Sequence, residues 1–544
     1  MKFRFTKFFP LLLLGLSVIW MENCRPSSLL DKAPNYVFLI TLDTLRADYV
    51  SCYPQAKAHT PSLEEFARQG IVIDPAYSPI PITAPAHAII FYSLSPHDLK
   101  LYNNGQVFKQ PAEKTSSPAS LSQIFRQHHF TTAAFISLGV LKAKFGLARG
   151  FDYYADDFPA SRWYLTAEEI NQRFFAWLDE FKAQKAFVWL HYSDPHDPYA
   201  PPSTPPDIEL VLNQSEKKKF SLQKMEPLQA TFKARRGRNV VKINVLFPHP
   251  EGKIRVRLSQ IKVSTRQGRD LPISIRSFDV YTKEGKKYWL IQNDALLSFH
   301  NPGPAQEVQF QARGEIFLTN EEKRKAYQQE VEYLDAQLKV LREGLISRGI
   351  FKQSLFILVG DHGEGLGERR TRFGDFHFGH IHFLYNNYLR VPFIISSPAL
   401  KKTFRVENKV ASLLDVAPTL LHLLGWDKPA FYRGRNILKT RKSGSPGYVF
   451  LETYRPEASQ DRFGGLLFPW HLIFTPENGR FELFNLNQDP LERNNLHSSQ
   501  LNSPELRTLY RRVTTTALKI LEEKEETVLD PQAREMLRSL GYIK

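Results

Sequence analysis

Cysteine is nearly absent. Cys24 and Cys52 are the only two in 544 residues, so no internal disulfide framework can be inferred. Long apolar runs are also missing. The one sustained stretch near the start, residues 8–21, is about 14 residues long, short of the roughly 20 a membrane-spanning helix needs. Cations interleaved with aromatics are absent beyond Arg235, Arg236 and Arg238, which argues against a nucleic-acid partner. No internal repeat and no long low-complexity segment is found. What remains is a globular composition, 42% hydrophobic and 24% charged, with a net charge of +16. The length exceeds one small domain and allows a large core. The basic surplus favours anionic substrates or an anionic membrane surface.

Lys2, Arg4 and Lys7 precede the apolar stretch, the pattern of an export signal over residues 1–24. Cys24 sits where a lipoprotein cysteine would, although Met21, Glu22 and Asn23 do not form the usual small-residue box. The expectation is an exported, periplasmic or envelope-associated protein, either cleaved or held by a lipid at Cys24.

Two short apolar runs, 36–42 and 355–359, read as strands buried on both faces. The first ends in Asp43, and the second ends at Gly360 followed by Asp361 and His362. Carboxyl ends of strands in open α/β sheets are where sites are built, so these acids suggest a shared metal cradle. A helix is expected over 61–70, with Ser62 and Glu65 as a capping box and Gly70 as its C-cap. Pro79, Pro81 and Pro85 keep the next approach irregular, and a helix opens at about Thr83. Its hydroxyl would then lie at a helix N-terminus, where amides favour an anion.

Further βα units follow: a helix over 121–128 with a strand over 131–137, then a helix over 167–183 with a strand over 186–190. Between residues 203 and 318 helical periodicity disappears, and short alternating strands such as 273–280 suggest an antiparallel sandwich. A long helix over 321–348 follows, with Val331, Leu334, Leu338 and Leu341 on one face.

Taken together, the words of the chain resemble the sulfatase family of the alkaline phosphatase superfamily. They are Ile40-Thr-Leu-Asp43-Thr44-Leu-Arg46-Ala-Asp48, Thr83-Ala-Pro-Ala-His87, Asp194-Pro-His196, Gly360-Asp-His-Gly-Glu-Gly365, Arg390-Val-Pro392 and the closing Leu537-Arg-Ser-Leu-Gly-Tyr542. They run in the family's order nearly end to end. The resemblance implies a large mixed α/β sheet flanked by helices, with a small C-terminal antiparallel sheet. It divides the chain into a catalytic domain over 34–202 and 319–440, an inserted β domain over 203–318, and a C-terminal subdomain over 441–544.

The resemblance also assigns roles. Asp43, Asp361 and His362 match the metal ligands, and Thr83 aligns with the nucleophile. His196 and His380 match positions that hold substrate oxygens or assist the leaving group. His87 stands where the family motif has arginine, and Arg46 lies beside the metal segment. His377 is either a second ligand position or a loop residue.

Two departures matter. Sulfatases oxidise a Cys or Ser to formylglycine. The β-methyl of Thr83 bars that aldehyde. Thr44 replaces a second Asp and removes a hard oxygen from a calcium site. Three protein ligands plus the Thr83 oxygen suit one divalent ion, Zn, Mn or Ca, with Zn or Mn favoured. That set resembles phosphoethanolamine transferases and lipoteichoic acid synthases, which use a metal-bound threonine. The sequence therefore points to a sulfate- or phosphate-ester hydrolase acting on an anionic substrate such as a glycan or lipid head group. An envelope transferase and an inactive binding protein on the same fold are the alternatives.

Overall fold

A computed structural model describes residues 29–523 apart from 109–118, 160–162, 182–183, 198, 200–206, 223–226, 247–255, 284, 317, 372–373, 408, 440–446, 455–459 and 498–502. Residues 1–28, which include the expected export signal and Cys24, and residues 537–542 lie outside the described residues.

The central sheet has eight strands. Across the sheet they are Phe404–Val406, Gly70–Ile73, Phe393–Ser396, Ser354–Gly360, Tyr36–Leu42, Ala186–Tyr192, Thr131–Phe135 and Tyr153–Ala155. Only Phe393–Ser396 runs against the others. The two central strands are buried along nearly their whole length, because both faces are covered. One layer holds the helices Thr83–Tyr92, Leu121–Gln127 and Val416–Leu423. The other holds Pro61–Arg68, Ala167–Glu180 and Asn320–Ser347, whose Val331, Leu334, Leu338 and Leu341 are buried.

Local expectations changed in three places. The Pro61–Arg68 helix is not closed by a Ser62–Glu65 box. Its Ser62 and Leu63 amides donate to the Asp335 carboxylate at 2.9 and 2.8 Å. A side chain from the long helix thus satisfies the orphan donors. Gly70 opens a strand instead of capping the helix, since a Cβ there would meet Ile395 O at 2.4 Å. The run 273–280 is two strands, Ile273–Arg276 and Asp279–Lys283, in different sheets.

The insert is built from ten strands in two five-stranded antiparallel sheets around their own apolar core. Beyond the catalytic sheet, four strands from Tyr448–Thr453 to Arg480–Asn485 form an antiparallel meander, against which the helix Pro504–Glu523 packs. No described helix is long and apolar enough to cross a membrane.

Candidate active site

The parallel register pairs Leu42 with Gly360, so Asp43 and Asp361 leave adjacent strands side by side. Gly360 allows the close turn, because a Cβ would come 2.9 Å from Leu45 O. Asp361 Oδ1 accepts the amides of Thr44 and His362, at 3.1 and 2.7 Å. Its Oδ2 is buried and receives no hydrogen bond. His362 Nδ1 lies 3.0 Å from Gly363 O. A carbonyl only accepts, so the proton is on Nδ1 and Nε2 keeps its lone pair. That lone pair lies 3.3 Å from Thr83 Oγ1 and 3.4 Å from Asp361 Oδ2.

Thr83 is the first residue of its helix and fully buried. The next amide, Ala84, donates to Asn104 Oδ1 at 2.8 Å. This leaves Asn104 Nδ2 buried without a partner, a donor at the helix N-terminus.

His87 spends both ring nitrogens locally. Nδ1 donates to Thr83 O at 2.8 Å, and Nε2 accepts from Thr41 Oγ1 at 3.0 Å. Thr41 in turn accepts from Trp189 Nε1 at 2.9 Å. The ring also lies 3.7 Å from Asp361 Oδ2. Burial and nearby His191 hold its pKa well below the ordinary value, so His87 is a neutral brace under the acids.

Arg46 is engaged elsewhere. Its guanidinium is bidentate on Asp48, at 2.9 and 2.8 Å, and also bonds Glu368 and the Glu364 carbonyl. It clamps the two strand-end loops together.

His380 lies beside His362, and His196 lies beside His380. The His362 and His380 ring centres are 4.4 Å apart, and those of His196 and His380 are 5.1 Å apart. His380 Nδ1 lies 2.9 Å from Glu364 Oε2, while Tyr199 donates to Oε1 at 2.7 Å. Burial pushes Glu364 well above the ordinary carboxylate range. It pushes His380 down to about 3, with His377 adding to the shift. His377 itself sits apart, 2.9 Å from the Tyr388 hydroxyl.

Two participants were missed by sequence reasoning. Glu364 stood in a quoted motif but was given no role. His191 is the penultimate residue of the Ala186–Tyr192 strand, opposite Thr41 and two residues short of Asp43, and that position was its only signal. The Ser137 amide donates to His191 Nδ1 at 3.2 Å, so its proton is on Nε2, which donates to Asp43 Oδ2 at 3.2 Å.

Asp43, Asp361 and His362 offer ligand atoms within 4.8 Å of one another. The donor set fits a divalent cation. Two buried acids converge, burial and Asp43 raise the Asp361 pKa, and the His362 tautomer directs a lone pair inward. Thr44, where the family has a second acid, donates its hydroxyl to Asp43 O at 2.7 Å.

This fold and this cluster define a sulfatase-family hydrolase. The sulfatase family profile matches residues 34–426, and the chain belongs to that family. The profile of the N-sulphoglucosamine sulphohydrolase C-terminal region matches residues 374–519. Among relatives, an N-acetylglucosamine-6-O-sulfatase of Bacteroides thetaiotaomicron is 22% identical over 513 residues, covering 89% of this chain and 86% of that protein. A Δ4,5-hexuronate-2-O-sulfatase of the same organism is 22% identical, covering 87% and 86%. A structure solved with its substrate, D-glucosamine-2-N,6-O-disulfate, superposes with a TM-score of 0.57 at 17% identity, covering 91% of this chain and 99% of that one. The phosphonate monoester hydrolase of Agrobacterium radiobacter superposes at 0.54 with 15% identity, covering 90% and 96%.

Proposed function

We propose that this chain is an exported hydrolase of sulfate esters on an anionic glycan, using Thr83 as its nucleophile. Asp43, Asp361, His362 and Thr83 would hold one divalent cation, Zn or Mn in preference to Ca. When bound, it supplies Lewis-acid polarisation of the ester and a lowered hydroxyl pKa. The observation that carries the reading is the approach of Thr83 Oγ1 to the inward lone pair of His362, 3.3 Å apart, beside two buried acids.

The chemistry falls to named groups. Thr83 Oγ gives up its proton and forms a bond to sulfur as the bond from sulfur to the alcohol oxygen breaks, and that oxygen takes up a proton. Water then adds to sulfur and cleaves the Oγ–S bond, and one of its protons returns to Oγ, freeing sulfate and Thr83. His196 and His380 would contact the ester oxygens or steady the departing one, a role supported by their rings lying 5.1 Å apart with His380 beside His362. The Glu364–His380 contact fixes the ring's orientation for that task. Asn104 Nδ2, held beside the helix N-terminus by the Ala84 amide, would supply a donor to the anion. The glycan reading draws on the relatives, whose names specify sulfated sugars.

A phosphate-ester reading stays alongside, because a threonine nucleophile needs no aldehyde and the same fold serves a phosphonate monoester hydrolase. Purified protein assayed on aryl sulfate, aryl phosphate and phosphodiester substrates separates the two. Thr83→Ala should abolish turnover with an unchanged fold, and Thr83→Ser should retain part of it. Mass spectrometry of quenched reactions should find a sulfo or phospho group on the peptide holding Thr83. Full activity in Thr83→Ala would overturn the proposal.

A further inference from the structure

The inserted sandwich has no role in the chemistry above, yet its composition is unusual. Residues 207–316 hold 20 Lys and Arg against 11 Asp and Glu, a surplus of nine within the chain's net +16. One of its two sheets has the order Asp279–Lys283, Lys286–Ile291, Val256–Thr265, Gln306–Ile316, Pro227–Ala234. Its inward residues, among them Val256, Leu258, Val263, Val308, Phe310 and Phe232, form the sandwich core. The alternate residues therefore face away from it.

That outer face carries both charges, but its acids have cationic neighbours: Glu315 pairs with Arg257, and Glu307 lies opposite Lys233 and 3.9 Å from Arg266. Register sets Ser259, itself buried, beside Tyr288 and Arg313, and Lys262 beside Gln311, which pairs with Gln229. The next row places Ser264 beside Gln309. A bulge between Ser259 and Lys262, with Gln260 at φ 52°, returns Lys262 to the outer face. Tyr281 and Tyr288 stand opposite each other with rings 5.2 Å apart and 17° from parallel. Arg257 donates to the Tyr281 hydroxyl at 2.9 Å and lies 4.9 Å over the Tyr288 ring. Lys262 and Arg313 are exposed, and neither has a carboxylate partner among the described residues. Amides and hydroxyls suit sugar hydroxyls, paired aromatics suit a pyranose, and uncompensated cations suit sulfate.

The attachment points favour an occupant shared with the active site. Tyr199, bonded to Glu364, precedes the first sandwich strand by eight residues, a reach of at most about 30 Å. The exit leads into the Asn320–Ser347 helix, whose Tyr327 donates to Thr44 O at 2.8 Å. A polymer held on the sandwich is thus tethered near the catalytic centre, which raises its local concentration there.

We propose that this outer face docks a sulfate-bearing polysaccharide, the polymer from which the active site takes its ester. The proposal rests on the glycan-sulfatase reading above. The test uses full-length Thr83→Ala, to prevent turnover, with heparin and chemically desulfated heparin as probes at about 50 and 200 mM salt. Heparin should bind and the desulfated polymer should bind far more weakly. Lys262→Glu combined with Arg313→Glu should weaken heparin binding by about tenfold or more, and Lys262→Gln with Arg313→Gln by somewhat less. Tyr288→Ala should weaken it as well. The control pair Lys242→Glu and Arg276→Glu, on the other sheet, should change it by less than about threefold.

Equal loss in the control pair, or duplex DNA binding as tightly as heparin, would overturn the proposal. The same face variants in the native background should hydrolyse a small sulfate ester at the native rate. Should native protein hydrolyse no sulfate ester while the face still binds heparin selectively, the active-site reading fails alone. Should hydrolysis proceed while Lys262 and Arg313 prove irrelevant to heparin, the docking proposal fails alone.

Discussion

Replacing Asp361 with Asn tests whether the buried acids are built for a cation. Asp43 and Asp361 are both fully buried, with ligand oxygens within 4.8 Å. At an effective dielectric of about 20, two charges at that separation repel by roughly 3 kcal/mol. Burial and this repulsion agree with the raised Asp361 pKa. In Asp361→Asn the side-chain oxygen keeps the Thr44 and His362 amides, and the new NH₂ replaces an oxygen that receives no hydrogen bond. It lies near the His362 lone pair, 3.4 Å away in the native geometry. The metal-free variant should therefore melt about 3 °C above the metal-free native protein, at roughly 1 °C per kcal/mol for a chain of this size. Adding Zn or Mn should reverse the order, stabilising the native protein and leaving the variant unchanged. Calorimetry after chelation and after reloading reads both effects. A metal-free variant that melts below the metal-free native protein would refute the reasoning.

Other perturbations probe different parts of the structure. Gly363→Ala would place a Cβ 2.2 Å from Asn387 O, so it should cost on the order of 2–4 kcal/mol in chemical denaturation and displace His362. Arg46→Gln leaves Asp48 and Glu368 without their shared guanidinium and should cost about 3 kcal/mol by the same measurement. Burial pushes His97 down, but its contacts with both Glu452 oxygens at 3.0 Å outweigh this and leave its pKa raised. That stability is complete below about pH 6.5 and is lost as pH rises through the folded value. The melting-temperature gap between native protein and His97→Gln should thus shrink from pH 6 to pH 9, and a widening gap would contradict the assignment.

The catalytic sheet was legible because strands covered on both faces read as uninterrupted apolar runs, with chemistry-bearing residues where the runs stop. Asp43, Asp361 and the Thr83 helix start could be located that way. Contacts made only in space could not. Asp335 displaces Ser62 and Glu65 as the helix cap from 273 positions away, and no local pattern announces it. His191 looked like one more strand residue until its neighbour across the sheet was known to be the Asp43 strand. Glu364 acts through His380 and Tyr199, again from distant segments. In the insert, residues 273–280 alternate without a glycine or proline, so the change of sheet at residues 277–278 left no mark in the sequence.

The pairing of Tyr36 with Ser354 joins segments that leave the ribosome 318 residues apart. At about 5–20 residues per second, the later strand emerges some tens of seconds after the earlier one. During that interval the Tyr36–Leu42 strand has a partner on one side only, the Ala186–Tyr192 strand, and its other edge is open and apolar. The whole insert is translated in the meantime and can close on its own core first. The nascent chain thus exposes a sticky edge until the strand carrying the second acid arrives, and its yield in the cell should depend on what shields that edge while translation continues.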